Sequence, residues 1–216
     1  MPNSLKRAPS TAPTARGRRR HDQLLDVTAE LVAARGFHAV GIVDIGAAAG
    51  VSGSAIYRHF RNKQELLVAL IDRVVDELLA GARAAVNGAA DPAAALDALV
   101  RAHVAFALRD RAIIKVYSQE SDHLPDEDRR RLRRKQHHYA EIWTDVVTAL
   151  RTDYSNEEAA AAVHAVFGLL NSVADFTSRI DDDELAELLT NMALTSLRDA
   201  RSPEQSGPRA VARRLT

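Results

Sequence analysis

Apolar residues recur at three- and four-residue spacing along most of this chain, so the pattern predicts helices rather than strands. Leu24, Leu25, Thr28, Leu31 and Val32 place a first helix from near Arg19 to Arg35, stopped by Gly36. Short apolar segments follow, predicting a helix from Ile42 to Gly50 and another from Gly53 to Phe60, with Ser52 as N-cap. From Lys63 the pairs Leu66/Leu67, Leu70/Ile71, Val74/Val75 and Leu78/Leu79 repeat every four residues along one face. That long helix ends at Asn87-Gly88, and Asp91-Pro92 starts the next with an N-cap and a proline at N1. Further helices are predicted near 92–109, 111–120, 125–151, 156–178 and 182–200. Ser155 to Glu158 fits a capping box, and Asp181 to Glu184 puts negative charge where a helix dipole favours it. The expected fold is all-α: a three-helix head with a helix-turn-helix, plus a larger helical body.

Composition supports this reading. The 216 residues are 46% hydrophobic but only 5% aromatic, with ten glycines, which favours helix over sheet. The absence of cysteine removes disulfides, thiolate metal sites and thiol nucleophiles, and fits a reducing cytoplasm. No secretory segment or membrane-length apolar run stands out, so a cytoplasmic protein without membrane association is expected. Net charge is zero but unevenly spread. Residues 1–63 hold ten Lys or Arg against four Asp or Glu, a net of +6, and the remainder carries −6. The basic end is the helix-turn-helix end, as a phosphate-binding head requires.

The expected organisation is a disordered basic arm at 1–17, a DNA-binding domain at 18–64, a ligand-binding and dimerisation domain at 65–201 and a disordered tail at 202–216. In or beside the arm, Lys6, Arg7, Arg16, Arg18, Arg19 and Arg20 either follow a DNA backbone or form a solvated tail.

Gly36-Phe37, Asp44-Ile45, Ala49-Gly50-Val51-Ser52, Ile56-Tyr57, His59-Phe60, Lys63 and Glu65-Leu66-Leu67 resemble the N-terminal domain of the tetracycline-repressor (TetR) family, without gaps from about residue 20 to 70. The resemblance implies a homodimeric transcription regulator that binds near-palindromic operator DNA and is released by a small molecule, with repression the expected sense. Carried over, Gly53, Ser54, Ala55, Tyr57, Arg58, His59 and Lys63 are the DNA-contact candidates. Arg58 suits a guanine edge, and Tyr57, His59 and Lys63 suit phosphates. Packing with a solvated hydroxyl is the alternative for Tyr57. Two departures stand out. Gly41-Ile42 replaces the Thr or Ser that often caps the second helix, leaving only the Gly41 amide to meet a phosphate. Gly46 replaces the usual Ala, which should loosen that helix by about 1 kcal/mol.

In the body, His103, Phe106, Tyr117, Tyr139, Trp143 and Phe167 either line a largely apolar effector pocket or pack as core. The segment Ile113 to Glu120 followed by Arg129 to Trp143 loosely resembles members controlling fatty-acid or sterol catabolism, some of which sense acyl-CoA. Arg129, Arg130, Arg131, Arg133, Arg134 and Lys135 could then meet CoA phosphate or form a solvated face. Val163, Val166, Phe167, Leu170 and Val173, with Leu185, Leu188, Leu189 and Met192, are expected at a four-helix dimer interface or inside one subunit. No cofactor, metal site or catalytic motif is expected: the histidines lack His-Glu-x-x-His spacing, and there is no phosphate loop or nucleophile elbow. An enzyme and a non-specific architectural DNA binder are the rival readings.

Overall fold

The computed structural model describes residues 15–198; the basic arm up to residue 14 and the tail from 199 on lie outside the described residues. Among these, all regular structure is helical. α1 spans Ala15–Arg35, α2 Ile42–Ala48, α3 Gly53–Ile56, α4 Lys63–Gly88, α5 Pro92–Arg109, α6 Arg111–Glu120, α7 Asp126–Leu150, α8 Asn156–Asn171 and α9 Asp182–Arg198. Short 3₁₀ turns follow α6 and α8, at Ser121–His123 and Ser172–Ala174.

Local chemistry fixes most of these boundaries. The Asn62, Asp91 and Asp181 side chains each accept a backbone N–H three residues on, at 2.8 Å. Ser155 and Glu158 complete the expected capping box, at 3.2 and 3.0 Å. Four boundaries differ from the sequence pattern, the smallest difference being α2, which stops at Ala48, two residues before the expected Gly50. α1 begins at Ala15, so residues 15–17, expected in the arm, are helical; the arginines extending it have no apolar face to reveal them. α3 is one regular turn, continued to Phe60 by the tighter His59 N–H to Ile56 bond and the Phe60 N–H to Ile56 bond. α8 stops at Asn171 instead of 178, where the Ser172 hydroxyl donates back to the Leu169 carbonyl.

α4 joins the two parts of the molecule. It packs against α1 in the head and against α5 and α7 in the body, and Leu66, Leu67, Leu70 and Ile71 are all buried. α1 also touches α6. Nearby, His38 Nε2 lies 2.8 Å from Glu120 Oε1, and Gln64 donates to the His123 carbonyl at 2.7 Å. The head is therefore seated on the body by two elements, α4 and α6.

A half-buried ion cluster fixes α4 to α7. Asp72 accepts from Arg131 at 2.6 and 2.9 Å and from Lys135 at 2.8 Å, and Lys135 also reaches Asp76 at 2.8 Å. Burial by itself would raise the Asp72 pKa, but the hydrogen bonds from Arg131 and Lys135 outweigh it and hold the carboxyl below its ordinary 3.8. A carboxyl depressed on folding contributes stability that is complete above its unfolded value and is lost as pH falls through the folded one. Asp72→Asn is thus expected to lower stability at neutral pH by about 1 kcal/mol. In urea titrations across pH, the gap from the unaltered protein should shrink once pH drops below 3.8.

Candidate nucleic-acid interface and body cavity

The turn between α2 and α3 is built around two glycines. Gly50 adopts φ 66°, a left-handed conformation that other residues reach only at a cost. Gly46 is buried, and the Val51 N–H donates to its carbonyl at 2.8 Å. A methyl added at Gly46 would lie 2.8 Å from the Val51 carbonyl oxygen. Its role is therefore a close approach of the turn, and the expected loosening of α2 is offset by that packing. The Gly41 N–H donates to the Asp44 carboxylate at 2.7 Å, so this amide is already occupied and does not face outward for a phosphate.

Ser52 caps α3, its hydroxyl accepting from Ala55 N–H at 3.3 Å and meeting the Ser54 hydroxyl at 2.9 Å. Ile56 and Phe60 anchor the segment in the core. The opposite face carries Ser54, Tyr57 and Arg58 exposed, with Gly53, Ala55 and His59 half-buried beside them. Tyr57 is 57% exposed, so packing does not account for it. Val43, near the start of α2, is 79% exposed; lying between Ile42 and Ile45 in an apolar run, it gave no sign of facing outward.

Arg20, His21 and Arg58 lie close enough to act on His59. Burial, and then the charges of His21, Arg20 and Arg58, lower the His59 pKa below 6.5. The free protein therefore favours the neutral imidazole, which can offer a phosphate a hydrogen-bond donor. Lys63 sits apart from this face. Its ammonium donates to the Phe37 carbonyl and lies 4.1 Å from the Phe37 ring centre, and burial lowers its pKa. It ties the start of α4 to the α1–α2 loop.

A cavity of about 380 Å³ opens in the body between α4, α5, α6, α7 and α8. Ile71, Val74, Val75 and Leu78 of α4 form one wall, and Phe106, Ile113, Ile114, Ala140 and Phe167 add apolar surface. Of the six pocket residues expected from sequence, His103, Phe106, Tyr117, Tyr139 and Phe167 line it. Trp143 does not. It lies fully buried behind them, edge-on to Phe167 and His103 with ring centres 5.0 and 5.7 Å apart. Arg133, Gln136, His137, His164 and Asn171 complete the lining. From sequence, Arg133 belongs only to a basic run and the other four give no sign of lining a pocket, because polar groups on two separate helices, α7 and α8, have no shared periodicity.

His103 is 3% exposed. Its Nδ1 lies 3.0 Å from the Tyr139 hydroxyl and its Nε2 3.2 Å from Asn171 Oδ1. Burial lowers its pKa to about 4, against a smaller raising effect of the Asn171 hydrogen bond. It is neutral at physiological pH, and burial likewise raises the Tyr139 pKa.

The basic run on α7 divides. Arg129 pairs with Asp126, while Arg131 and Lys135 serve Asp72, leaving Arg130, Arg133 and Arg134 exposed. Only Arg133 of the run reaches the cavity lining.

The apolar stripes of α8 and α9 are resolved in favour of the subunit interior. Val163, Val166, Leu170, Val173, Leu185 and Leu189 are buried within one chain, and Phe167 faces the cavity, so these seven do not form an outer interface. Their i, i+3/i+4 spacing is that of an inward face. Leu188 and Met192 are 48% and 44% exposed, and Phe176 and Ile180 are also exposed.

Residues 24–70 match the model for bacterial regulatory proteins of the tetR family, and residues 89–197 match the tetracyclin repressor-like C-terminal domain, which alone covers half the chain. The chain belongs to the TetR family. Among curated TetR relatives, it is 40% identical over 91 residues to the transcriptional activator FasR of Mycolicibacterium smegmatis, spanning 42% of each chain. It is 30% identical over 131 residues to the transcriptional repressor KstR2 of Rhodococcus jostii, spanning 60% of this chain and 64% of that one. The matched region thus covers less than two thirds of either relative. A TetR-family regulatory protein from Rhodococcus RHA1 superposes with TM-score 0.72 at 24% identity, over 85% of this chain and 99% of that one. AibR, solved with isovaleryl coenzyme A and operator DNA, gives 0.67 at 19% identity over 80% and 97%. These two likenesses establish the TetR fold of this chain. No helix among the described residues is long and apolar enough to cross a membrane.

Proposed function

We propose that this protein is a sequence-specific, homodimeric DNA-binding regulator of the cytoplasm, a repressor released from its operator when a small molecule fills the body cavity. One observation carries the reading: α4 supports the helix-turn-helix at one end and supplies a cavity wall, Ile71 to Leu78, further along. A ligand that displaces this wall moves the base of the head. Residues 18–64 act as the DNA-reading unit and 65–201 as the sensing and dimerising unit. Arg58 reads a base edge; Tyr57, His59 and the α3 amides of Gly53 and Ser54 set the register on phosphates, with Ala55 keeping the approach open. Lys63 contributes by fixing α4 under the head, with its remaining N–H groups as a secondary phosphate contact.

An acyl-CoA thioester is the favoured effector class, its acyl group in the apolar cavity and Arg133 beside its phosphates. AibR, with its isovaleryl coenzyme A, supports that class by analogy. The ligand must favour the released conformation by about 1–3 kcal/mol, as is typical of allosteric coupling. The test is a titration of acyl-CoA thioesters of increasing chain length against a complex of the protein with DNA flanking its gene. Release at one chain length is expected; binding of the duplex indifferent to every thioester would contradict the effector class.

Leu188 and Met192 on the outer face of α9 are the anchors of the proposed two-fold interface. The double replacement Leu188→Glu/Met192→Glu should convert a dimer to a folded monomer in sedimentation velocity and weaken DNA binding. A dimer that survives both charges would place the interface elsewhere.

A further inference from the structure

The polar groups inside the cavity are wired in one direction. His103 has a single N–H when neutral, and Asn171 Oδ1 lies against its Nε2, so the hydrogen belongs on Nε2 and Nδ1 is bare. The Tyr139 hydroxyl then donates to Nδ1. In this relay Tyr139 donates to His103 and His103 to Asn171, which consumes the imidazole acceptor and engages the amide oxygen. What Asn171 still presents to the cavity is its NH₂ group, which makes no hydrogen bond to a described side chain. A second pair repeats the arrangement: the Tyr117 hydroxyl donates to Gln136 Oε1 at 2.9 Å, leaving the Gln136 NH₂. No Asp or Glu is among the lining residues, and the charged side chain beside these amides is Arg133. Apart from the two phenol oxygens and the imidazoles of His137 and His164, the polar side chains on this wall have donors left to offer: the two NH₂ groups and the Arg133 guanidinium.

We propose that the cavity selects an effector bearing a carbonyl-type acceptor oxygen on its buried part, received by the Asn171 side-chain amide, and discriminates against amines and other cations. The inference rests on the cavity being the effector site and adds to it the functional group that must enter. A ketone, ester, thioester or carboxylate satisfies the wall. An amine leaves both amides unpaired and meets no carboxylate.

The experiment uses the full chain and three matched probes: 2-octanone, octylamine and n-octane. Trp143, the single tryptophan of the sequence, sits against two lining rings and reports occupancy by fluorescence. The ketone is expected to bind about tenfold more tightly than either other probe, the contribution of one well-formed hydrogen bond. Asn171→Asp keeps an oxygen for His103 but removes the NH₂. It should weaken the ketone about tenfold and leave octane unchanged. Equal binding of ketone and octane, tighter binding of the amine, or a ketone indifferent to Asn171→Asp would overturn the selectivity while leaving the cavity as a binding site. If none of the three changes the Trp143 signal or displaces a cavity-bound dye, the cavity's assignment as the effector site fails as well.

Discussion

Trp143→Ala is expected to lower the unfolding free energy by about 3–5 kcal/mol, the largest effect of any single replacement considered for the body. Its side chain is fully buried between the cavity rings and the core. Phe167 at 5.0 Å and Tyr139 at 6.1 Å lean on it. Alanine would leave a void that α7 and α8 cannot readily close, because α7 is packed against α4, α5 and α8, and α8 is held by its capping box and by α7 and α9. The indole N–H lies near the Tyr139 hydroxyl yet makes no well-formed hydrogen bond, so the loss is one of packing. Trp143→Phe should accordingly retain most of the stability. Urea denaturation of the two variants checks this: similar losses for both would mean that the indole nitrogen, and not ring volume, holds the site together.

Arg58→Ala is expected to reduce discrimination between operator and unrelated duplex by about 1–3 kcal/mol, roughly five- to 150-fold, while leaving fold and dimer intact. Arg58 is exposed and makes no ion pair with a described residue, so its loss costs the protein no internal contact. It follows Tyr57 at the end of α3, on a segment anchored by buried Ile56 and Phe60, which gives the guanidinium a rigid base. Competition binding with operator and scrambled duplex measures the effect. An unchanged ratio would remove Arg58 from base reading and confine it to phosphate contact.

Much of the fold was legible in the chain because short-range chemistry writes it. Asp91-Pro92, Ser155 with Glu158, and the four-residue repeat of α4 each state a helix boundary or a buried face within a few residues. What was not legible depends on which helices meet. The stripes of α8 and α9 read equally well as interface or interior, and only packing against α5 and α7 turned Val163, Val166, Leu170 and Leu189 inward. That Lys63 also ties the start of α4 to the α1–α2 loop could not be read from the chain, because its partner Phe37 lies 26 residues away. Asn171 carried no signal at all, since its meaning comes from His103, 68 residues away.

The same logic separates the two units. The head reads from sequence because its glycine turn, cap and anchors are contiguous between Gly41 and Phe60. The cavity is assembled from five helices, so its ring-bearing members His103, Phe106, Tyr117, Tyr139 and Phe167 were found by residue type, whereas its aliphatic wall and the polar Gln136, His137, His164 and Asn171 emerged only from geometry.

Selection of random duplex DNA by the full chain, carried out at two salt concentrations, tests the central claim most directly. A specific dimeric regulator predicts enrichment of a near-palindromic motif whose half-sites are spaced by about one or more DNA turns, with the motif retained at the higher salt. Binding that enriches no motif and simply collapses as salt rises would contradict sequence-specific regulation and leave a non-specific DNA binder.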